Sequence, residues 1–224
     1  MVKKLKEKNK MNNIKMIITI ISLVLLSGCG STNSTSRPAD EEMINDNLER
    51  IVIHGNYLKH EDEKEINVDA DLIVIASSND SFLNREHVAT YTPAEEDLPE
   101  TLEDFYTINT LTIKEVLKPE EESDIPVGSE LDVIEPVAIV DTGELKQILT
   151  IDNYLEMEED VDYIIYLKRN TYGEYGVINM NNGRFNLEYE EQITNQNEPN
   201  LDKEEHEAFK KDVFERYAEE LKDY

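Results

Sequence analysis

Apolar side chains occur in short runs, separated by polar and turn-forming residues, along most of the chain. The runs Leu72–Ala76 and Tyr163–Leu167 are continuously apolar, a pattern typical of strands that are buried on both faces. Tyr106–Leu117 is rich in β-branched residues and predicts the longest strand, with a bulge between Ile113 and Val116, where the apolar phase slips. Shorter strands are predicted at Ile51–Ile53, Leu131–Glu135, Val137–Val140 and Leu145–Ile151.

A hairpin is predicted near the end of this strand-rich region. Its strands, Glu174–Met180 and Arg184–Tyr189, flank the Asn-Asn-Gly sequence at 181–183, and these residue types tolerate the positive φ of a tight turn. In the second strand every other residue from Phe185 to Tyr189 is apolar, which predicts one buried and one solvent-exposed face. Thr92–Phe105 is acidic, contains two prolines and predicts a long exposed loop.

Helices are predicted at three places. Asp40 is expected to cap a short helix over Glu41–Arg50, and Glu61–Ile66 has the composition of a helical turn. The C-terminal helix begins at a capping box of Asp202 and Glu205. Its apolar stripe consists of Phe209, Val213, Tyr217 and Leu221. We expect this stripe to dock on the strands, because short helices gain most of their stability from tertiary packing. The alternative is a free amphipathic helix that binds a partner.

The N-terminal segment has the three-part pattern of a secretory signal. Six lysines and one glutamate within the first fifteen residues precede an apolar run from Met16 to Leu26, and small residues follow it. This run is too short to cross a bilayer, which needs about 20 apolar residues. The alternative is a buried helix or strand with Cys29 as an ordinary core thiol, and the basic flank argues against it.

Leu26-Ser27-Gly28-Cys29 resembles the lipobox of bacterial lipoproteins, in which an aliphatic residue and two small residues precede the cysteine. The resemblance implies that Cys29 is diacylglycerylated and that the chain is cleaved after Gly28. Two acyl chains hold a domain at a membrane where one does not. We therefore expect an extracytoplasmic protein, anchored in the lipid bilayer of the cell membrane of a Gram-positive bacterium through the acylated Cys29. No other cysteine occurs, so the exported part has no disulfide.

The length predicts one folded domain with attachments. The predicted segments are a signal peptide at 1–28, a lipidated N-terminus with a tether and a short helix at 29–50, a β-barrel domain at 51–192, and a linker with the C-terminal helix at 193–224. The tether, Gly30–Pro38, is rich in Ser, Thr and Asn, a composition that is flexible.

Charge excludes one class of partner. Without the six lysines and one glutamate of residues 1–28, the 22 basic and 50 acidic residues become 16 and 49, a formal net charge of −33. Nucleic acid binding requires clustered Lys and Arg and is therefore not expected. Such a charge favours a basic protein partner in the envelope or cations, and the alternative is simply a well-solvated surface.

Short strands without intervening helices favour a sandwich or a barrel. The segments Asp71–Ile75 and Thr112–Lys118, Gly128 before a strand, and Glu159–Leu167 are similar to a pattern of netrin-like domains, a group that contains the tissue inhibitors of metalloproteinases. The resemblance implies a mainly β fold: a single OB-like Greek-key barrel with flanking short helices and the C-terminal amphipathic helix. Those inhibitors chelate zinc through a free N-terminal cysteine amine. A lipidated, tethered Cys29 departs from that mechanism.

No arrangement of residues predicts catalysis or a cofactor, and we assign no catalytic residue. The four histidines share no metal-ligand spacing, and the acidic neighbours of His60 and His206 predict solvated surface side chains. Nucleophile motifs and glycine-rich phosphate loops do not occur. The acidic clusters Glu120–Asp124 and Glu156–Asp162 lack the central glycine of an EF-hand loop, so we expect at most weak calcium binding there.

The most chemically mixed surface is the predicted loop Ser77–Thr90. Its candidate binding residues are Asn79, Asp80, Asn84, Arg85 and His87. Loops between early strands of OB-type barrels often help to form binding faces. The alternative is a polar connection with Phe82 and Leu83 packed on the core.

These observations favour a non-enzymatic, membrane-anchored binding or interaction module of the cell envelope. One alternative is an extracytoplasmic enzyme with an unrecognised site, and another is a calcium-dependent surface module. A transporter-linked solute receptor is disfavoured, because the chain lacks alternating βαβ units.

Overall fold

A computed structural model describes residues 48–93, 100–121, 124–141, 145–187 and 203–224. The predicted signal peptide, Cys29, the tether and the caps at Asp40 and Asp202 lie outside the described residues, as does Tyr189. Within the described residues the chain forms ten strands and two α-helices. The strands are β1 (Glu49–Ile53), β2 (Leu72–Ser78), β3 (Glu86–Thr92), β4 (Thr101–Lys118), β5 (Glu130–Glu135), β6 (Val137–Asp141), β7 (Lys146–Ile151), β8 (Asp162–Arg169), β9 (Tyr175–Val177) and β10 (Arg184–Asn186). The helices are α1 (Glu63–Asp69) and α2 (Lys203–Arg216), and 3₁₀ turns lie at Phe82–Asn84, Met180–Gly183 and Glu220–Asp223.

Five strands close into a barrel. Going round it, β2 pairs with β4, β4 with β5, β5 with β9, β9 with β8, and β8 again with β2. All these pairs are antiparallel except β5 and β9, which run parallel. The barrel interior is filled by apolar side chains that include Leu72, Val74, Leu111, Ile113 and Ile165. The predicted mainly β fold is confirmed, and its centre is a closed five-stranded barrel.

Two strands are buried on both faces, as their apolar runs predicted. All seven residues of β2 are buried, because alternate side chains enter the barrel while the others face the helices. Outside the barrel, Ile73 and Ile75 of β2 pack in one cluster with Ile66 of α1 and Phe209 and Val213 of α2. The apolar stripe of the C-terminal helix therefore docks on the barrel, as expected.

The first helix forms where its N-terminus is capped. The Asp62 carboxylate accepts a hydrogen bond from the Glu65 N–H at 2.9 Å, and the helix then buries Ile66 on the barrel. No helix among the described residues combines the length and the apolarity that crossing a membrane requires.

The longest strand, β4, belongs to two layers. Its second half forms part of the barrel, and its pairing with β2 shifts register between Ile73 and Val74 and again between Ile75 and Ala76, which confirms the predicted irregularity. Its first half pairs with β3 as a ribbon. This ribbon packs its apolar side on a separate sheet of order β1-β7-β6.

Two predicted non-strand segments are wrong. Thr92–Phe105 is not one long loop, because β3 continues to Thr92 and β4 begins at Thr101. The predicted helix over Glu41–Arg50 cannot extend to its end, because β1 begins at Glu49. Strand β1 pairs in parallel with the distant β7, whereas β3 and β4 pair with each other and the sheet that contains β7 covers their ribbon.

The predicted hairpin around 181–183 is also wrong. Strands β9 and β10 do not pair with each other, because both pair with β8 along its length. The Asn-Asn-Gly sequence lies in a 3₁₀ turn, and the positive φ angles fall earlier, at Asn179 (59°) and Met180 (52°). Gly183 is needed for space, since a Cβ there would lie 1.6 Å from the Ile178 carbonyl oxygen.

Candidate functional site

The predicted loop over Ser77–Thr90 is shorter than expected, because β2 continues to Ser78 and β3 begins at Glu86. Its five candidate residues do not form one surface. Arg85 is buried at one end of the barrel, and His87 is half-buried. Asp80 and Asn84 are exposed, and Asn84 donates a hydrogen bond to the Ser81 hydroxyl at 2.9 Å. Asn79 alone lies on the outer face of the barrel.

The buried Arg85 forms an ion pair with Glu135 at the end of β5. The Nη1 to Oε2 distance is 2.8 Å, and the two side chains are 1% and 0% exposed. Each Glu135 oxygen accepts two hydrogen bonds. Oε1 accepts from the Tyr154 hydroxyl at 2.9 Å and the Met157 N–H at 3.0 Å, and Oε2 accepts from Arg85 and from Asn109 Nδ2 at 2.9 Å. The carboxylate is therefore fully paired.

The Arg85 guanidinium is equally well satisfied. Nε donates to the Asp80 carbonyl at 3.0 Å, and Nη2 donates to the Met157 carbonyl at 2.6 Å and to the Ser78 hydroxyl at 2.8 Å. The Ser78 hydroxyl in turn donates to Asn109 Oδ1 at 2.7 Å, which closes a ring of hydrogen bonds. We call Ser78, Arg85, Asn109, Glu135 and Tyr154 the buried polar network.

The chemistry of this network is structural. Burial, reinforced by the negative charge of Glu135, holds the pKa of Tyr154 well above its ordinary value, so the phenol stays a hydrogen-bond donor. Every charged atom in the network is already paired within the protein. The network fastens the segment after β2 and the segment before β8 to the end of the barrel.

His87 takes part in a neighbouring contact between layers. Its Nδ1 accepts the Ile139 N–H of β6 at 3.2 Å and lies 2.9 Å from the Thr107 hydroxyl of β4. Burial lowers the pKa of His87, which favours the neutral ring that can accept this hydrogen bond.

His60 and His206 are not solvated surface residues, contrary to the prediction. They are 7% and 3% exposed. His60 Nε2 lies 3.1 Å from an Asp69 carboxylate oxygen, and His206 stacks on the Phe185 ring with a 5.4 Å centroid separation. Packing between elements that are distant in sequence buries both rings.

The solvent-exposed face predicted for the last strand, β10, is also wrong. Arg184 and Asn186 are buried rather than solvent-exposed. The Arg184 guanidinium lies over the rings of Tyr154 and Tyr163, 5.5 Å and 5.4 Å from their centroids. Aromatic faces attract a guanidinium, which makes this burial tolerable.

A groove of about 400 Å³ runs along β5, where outward-facing residues such as Ile108 and Ile134 meet Val133 and Tyr175 of the barrel core cluster. Its lining residues are Ile108, Ile125, Leu131, Asp132, Val133, Ile134, Arg169, Gly173, Glu174 and Tyr175, and we call it the outer groove. Ile108 of β4 and Ile134 of β5 are directly paired in the sheet and form an apolar floor. Gly176 of β9 pairs with Ile134 and adds no side chain beside it.

The charges at the outer groove are predominantly uncompensated acids. Asp132 accepts only from the Thr110 hydroxyl at 2.6 Å, and Glu174 accepts from the Asn170 amide at 2.9 Å. Glu130, two residues before Asp132 on the same face, accepts from Asn79 at 3.2 Å. Among the described residues, none of these three carboxylates has a basic partner.

Arg169 is the one basic residue in the groove lining, and it is neutralised locally. It donates to both Glu120 oxygens, at 2.8 and 2.9 Å, and lies 4.2 Å from the Tyr175 ring centroid. The Arg169 hydrogen bond, with one from the Tyr175 hydroxyl, lowers the pKa of Glu120. The groove as a whole therefore remains anionic.

The predicted calcium clusters show no coordination geometry where they are described. Glu120 is occupied by Arg169, and Glu156 receives a hydrogen bond from Arg50 at 2.6 Å. Residues 122 and 123 lie outside the described residues. Within the described part of the chain, no group of three or more His, Cys, Asp or Glu side chains is placed to hold a metal ion.

No family model, no curated protein and no solved structure matches the chain. Its own residues therefore carry the argument for function.

Sequence reasoning missed Glu135, the centre of the buried polar network, and Gly176, which pairs with Ile134 beside the groove. The sequence does indicate a role for Glu135. It continues the alternation of Leu131 and Val133 on the inward side of its strand, and a carboxylate at such a position needs a buried partner. No sequence pattern indicates a role for Gly176, because that role depends on its position beside Ile134 in the parallel pair of β5 and β9.

Removing Arg85 should destabilise the protein strongly. Arg85→Met leaves Glu135 buried without its charge partner, so we expect a loss of about 3–5 kcal/mol in the free energy of unfolding, measured by urea denaturation. Arg169→Met is the matched control, because it removes a bidentate but exposed pair and should cost less than about 1 kcal/mol. Equal losses for the two variants would contradict the assignment.

Proposed function

We propose that this chain is a lipid-anchored, extracytoplasmic binding module of the cell envelope without enzymatic activity. Its barrel is of the OB type, the outer groove is its binding face, and a basic envelope protein is its partner. The single observation that carries the proposal is the outer groove itself, an apolar floor edged by carboxylates that have no basic partner among the described residues.

The strand arrangement supports the OB type and the choice of face. The barrel is closed and five-stranded, with one parallel pair. OB-type barrels bind ligands on the face of their second and third strands. The second and third barrel strands here are β4 and β5, and these provide the Ile108–Ile134 floor.

Binding rather than catalysis is supported by how the buried polar groups are used. Glu135 and Arg85, the most deeply buried charged pair described, direct every charged atom to a partner within the protein. Groups that act as acids, bases or nucleophiles need access to a substrate. The accessible carboxylates of the groove are suited to holding a cation instead.

The N-terminal sequence supports the anchor. The lipobox-like Leu26–Cys29 follows a basic and then an apolar segment, and the Gly30–Pro38 tether can hold the domain away from the lipid. A net charge of −33 after residue 28 also keeps the domain off anionic lipid and available to basic proteins.

The anchor is tested at Cys29. Cys29→Ala should abolish metabolic labelling with an alkyne fatty acid and release or misprocess the protein, because the acylated sulfur is gone. Ser27→Ala keeps a small residue in the lipobox and should remain labelled. A Cys29→Ala protein that stays labelled and membrane-bound would show that the anchor is elsewhere.

The binding face is tested by photo-crosslinking in intact cells. A photoreactive amino acid at Ile108 should give a discrete protein adduct, because this position lines the groove. The same amino acid at Val68, which is 82% exposed on α1, is the control and should give none. The proposal fails if both positions give the same adducts or if Ile108 gives none.

A further inference from the structure

We infer that the outer groove receives a polypeptide segment in which basic residues flank one or two large apolar side chains. The inference rests on the proposed function and names the chemistry of the partner. It follows from the shape of the floor, from the charges around it and from the pairing of the strands beneath it.

The floor provides a site for an apolar side chain. Ile108 and Ile134 stand on the same outer face at directly paired positions, and both are only partly buried. Gly176 continues this row on β9, where a Cβ would lie in ordinary contact, 3.9 Å from the Ile134 carbonyl oxygen and 4.0 Å from Ile134 Cβ. The glycine thus leaves open a space that a side chain of the partner can fill. A volume of about 400 Å³ is at the small end for ligand pockets, which fits a short segment.

The edge of the groove selects for positive charge. Asp132 and Glu174 line it, and Glu130 follows on the same face of β5. Because none of the three has a basic partner among the described residues, a lysine or arginine of the partner gains attraction without breaking an existing ion pair. Acidic segments would be repelled by these carboxylates and by the overall charge.

The partner lies across the strands rather than extending the sheet. Strand β5 is paired on both sides, by β4 and by β9, and β9 is itself paired with β8. At Val133 and Ile134, where the floor lies, β5 is paired with both β4 and β9, so a segment seated over the floor is recognised by its side chains. The placement of basic residues on either side of the apolar ones then matters more than a fixed backbone conformation.

The test measures peptide binding to the full-length protein in detergent by fluorescence anisotropy at fixed ionic strength. The probe is a labelled hexapeptide with two central leucines flanked by lysines. One comparison peptide replaces the leucines with serines, and another replaces the lysines with glutamates. We expect the lysine–leucine peptide to bind at least about tenfold more tightly than either. Equal binding of the serine peptide would overturn the inference, because the apolar floor would then be unused.

Variants locate the binding. Asp132→Asn with Glu174→Gln removes two charges and keeps both hydrogen-bond acceptors, and it should weaken binding about tenfold. Glu204→Gln with Glu207→Gln makes the same charge change at exposed positions on α2 and should have less than about a twofold effect. Any loss of free peptide into detergent micelles is the same for both double variants, so it does not affect the comparison of their affinities. Equal weakening in both would show non-specific attraction and would overturn the inference.

Gly176→Ala tests the floor independently of charge. Its φ is not in the left-handed region and the site has room for a Cβ, so the variant should fold with an unchanged melting temperature and still bind the peptide about threefold more weakly. Unchanged affinity would contradict the inference. If no hexapeptide binds but the Ile108 crosslink in cells persists, the segment chemistry is wrong while the proposed function stands.

Discussion

The ion pair between Arg85 and Glu135 is the constraint on which the rest of the structure depends. Taking two charges out of water costs several kcal/mol for each, and mutual attraction offsets this only if the remaining hydrogen-bonding atoms are also satisfied. Here the partners come from β2, β4, β5 and the segment before β8. All of these elements must be in place together, so the pair specifies one arrangement of the barrel end.

The same ion pair determines which side chains of β4 and β5 lie on the outer face of the barrel. Side chains alternate between the two faces of a strand, and a shift of one residue would exchange them. Glu135 and Asn109 point inward into the network, so their neighbours Ile134 and Ile108 point outward. A polar network within the barrel therefore determines that the outer groove has an apolar floor.

Prediction from the sequence was correct where the burial of a strand or helix produces an apolar pattern within its own residues. Leu72–Ala76 and Tyr163–Leu167 are strands because both of their faces are covered, and the stripe from Phe209 to Tyr217 docks as its spacing indicates. It failed where the strand character of a segment comes from contacts with other elements rather than from its own apolar pattern. The segment Thr92–Phe105 looked like a loop, because its strand character depends on pairing between β3 and β4 and on the sheet that covers them.

The candidate site was likewise predicted only in part, because most of its contacts join residues that are distant in sequence. The mixed chemistry of residues 77–90 predicts a binding surface, and of its candidate residues Asn79 contacts Glu130 on the outer face. Arg85 has an internal role instead, because its counterion lies 50 residues away in the chain. The outer groove combines residues of β4, β5 and β9 and the turn before β9, and no local pattern could bring those together.

A double-mutant cycle between Arg85 and Glu135 tests the central claim most directly. The free energies of unfolding of Arg85→Met, Glu135→Leu and the double variant would be measured by urea denaturation. If the pair organises the barrel end, the double variant is less destabilised than the sum of the single variants by about 2 kcal/mol, because neither charge is left buried alone. Additivity within about 0.5 kcal/mol would contradict the account.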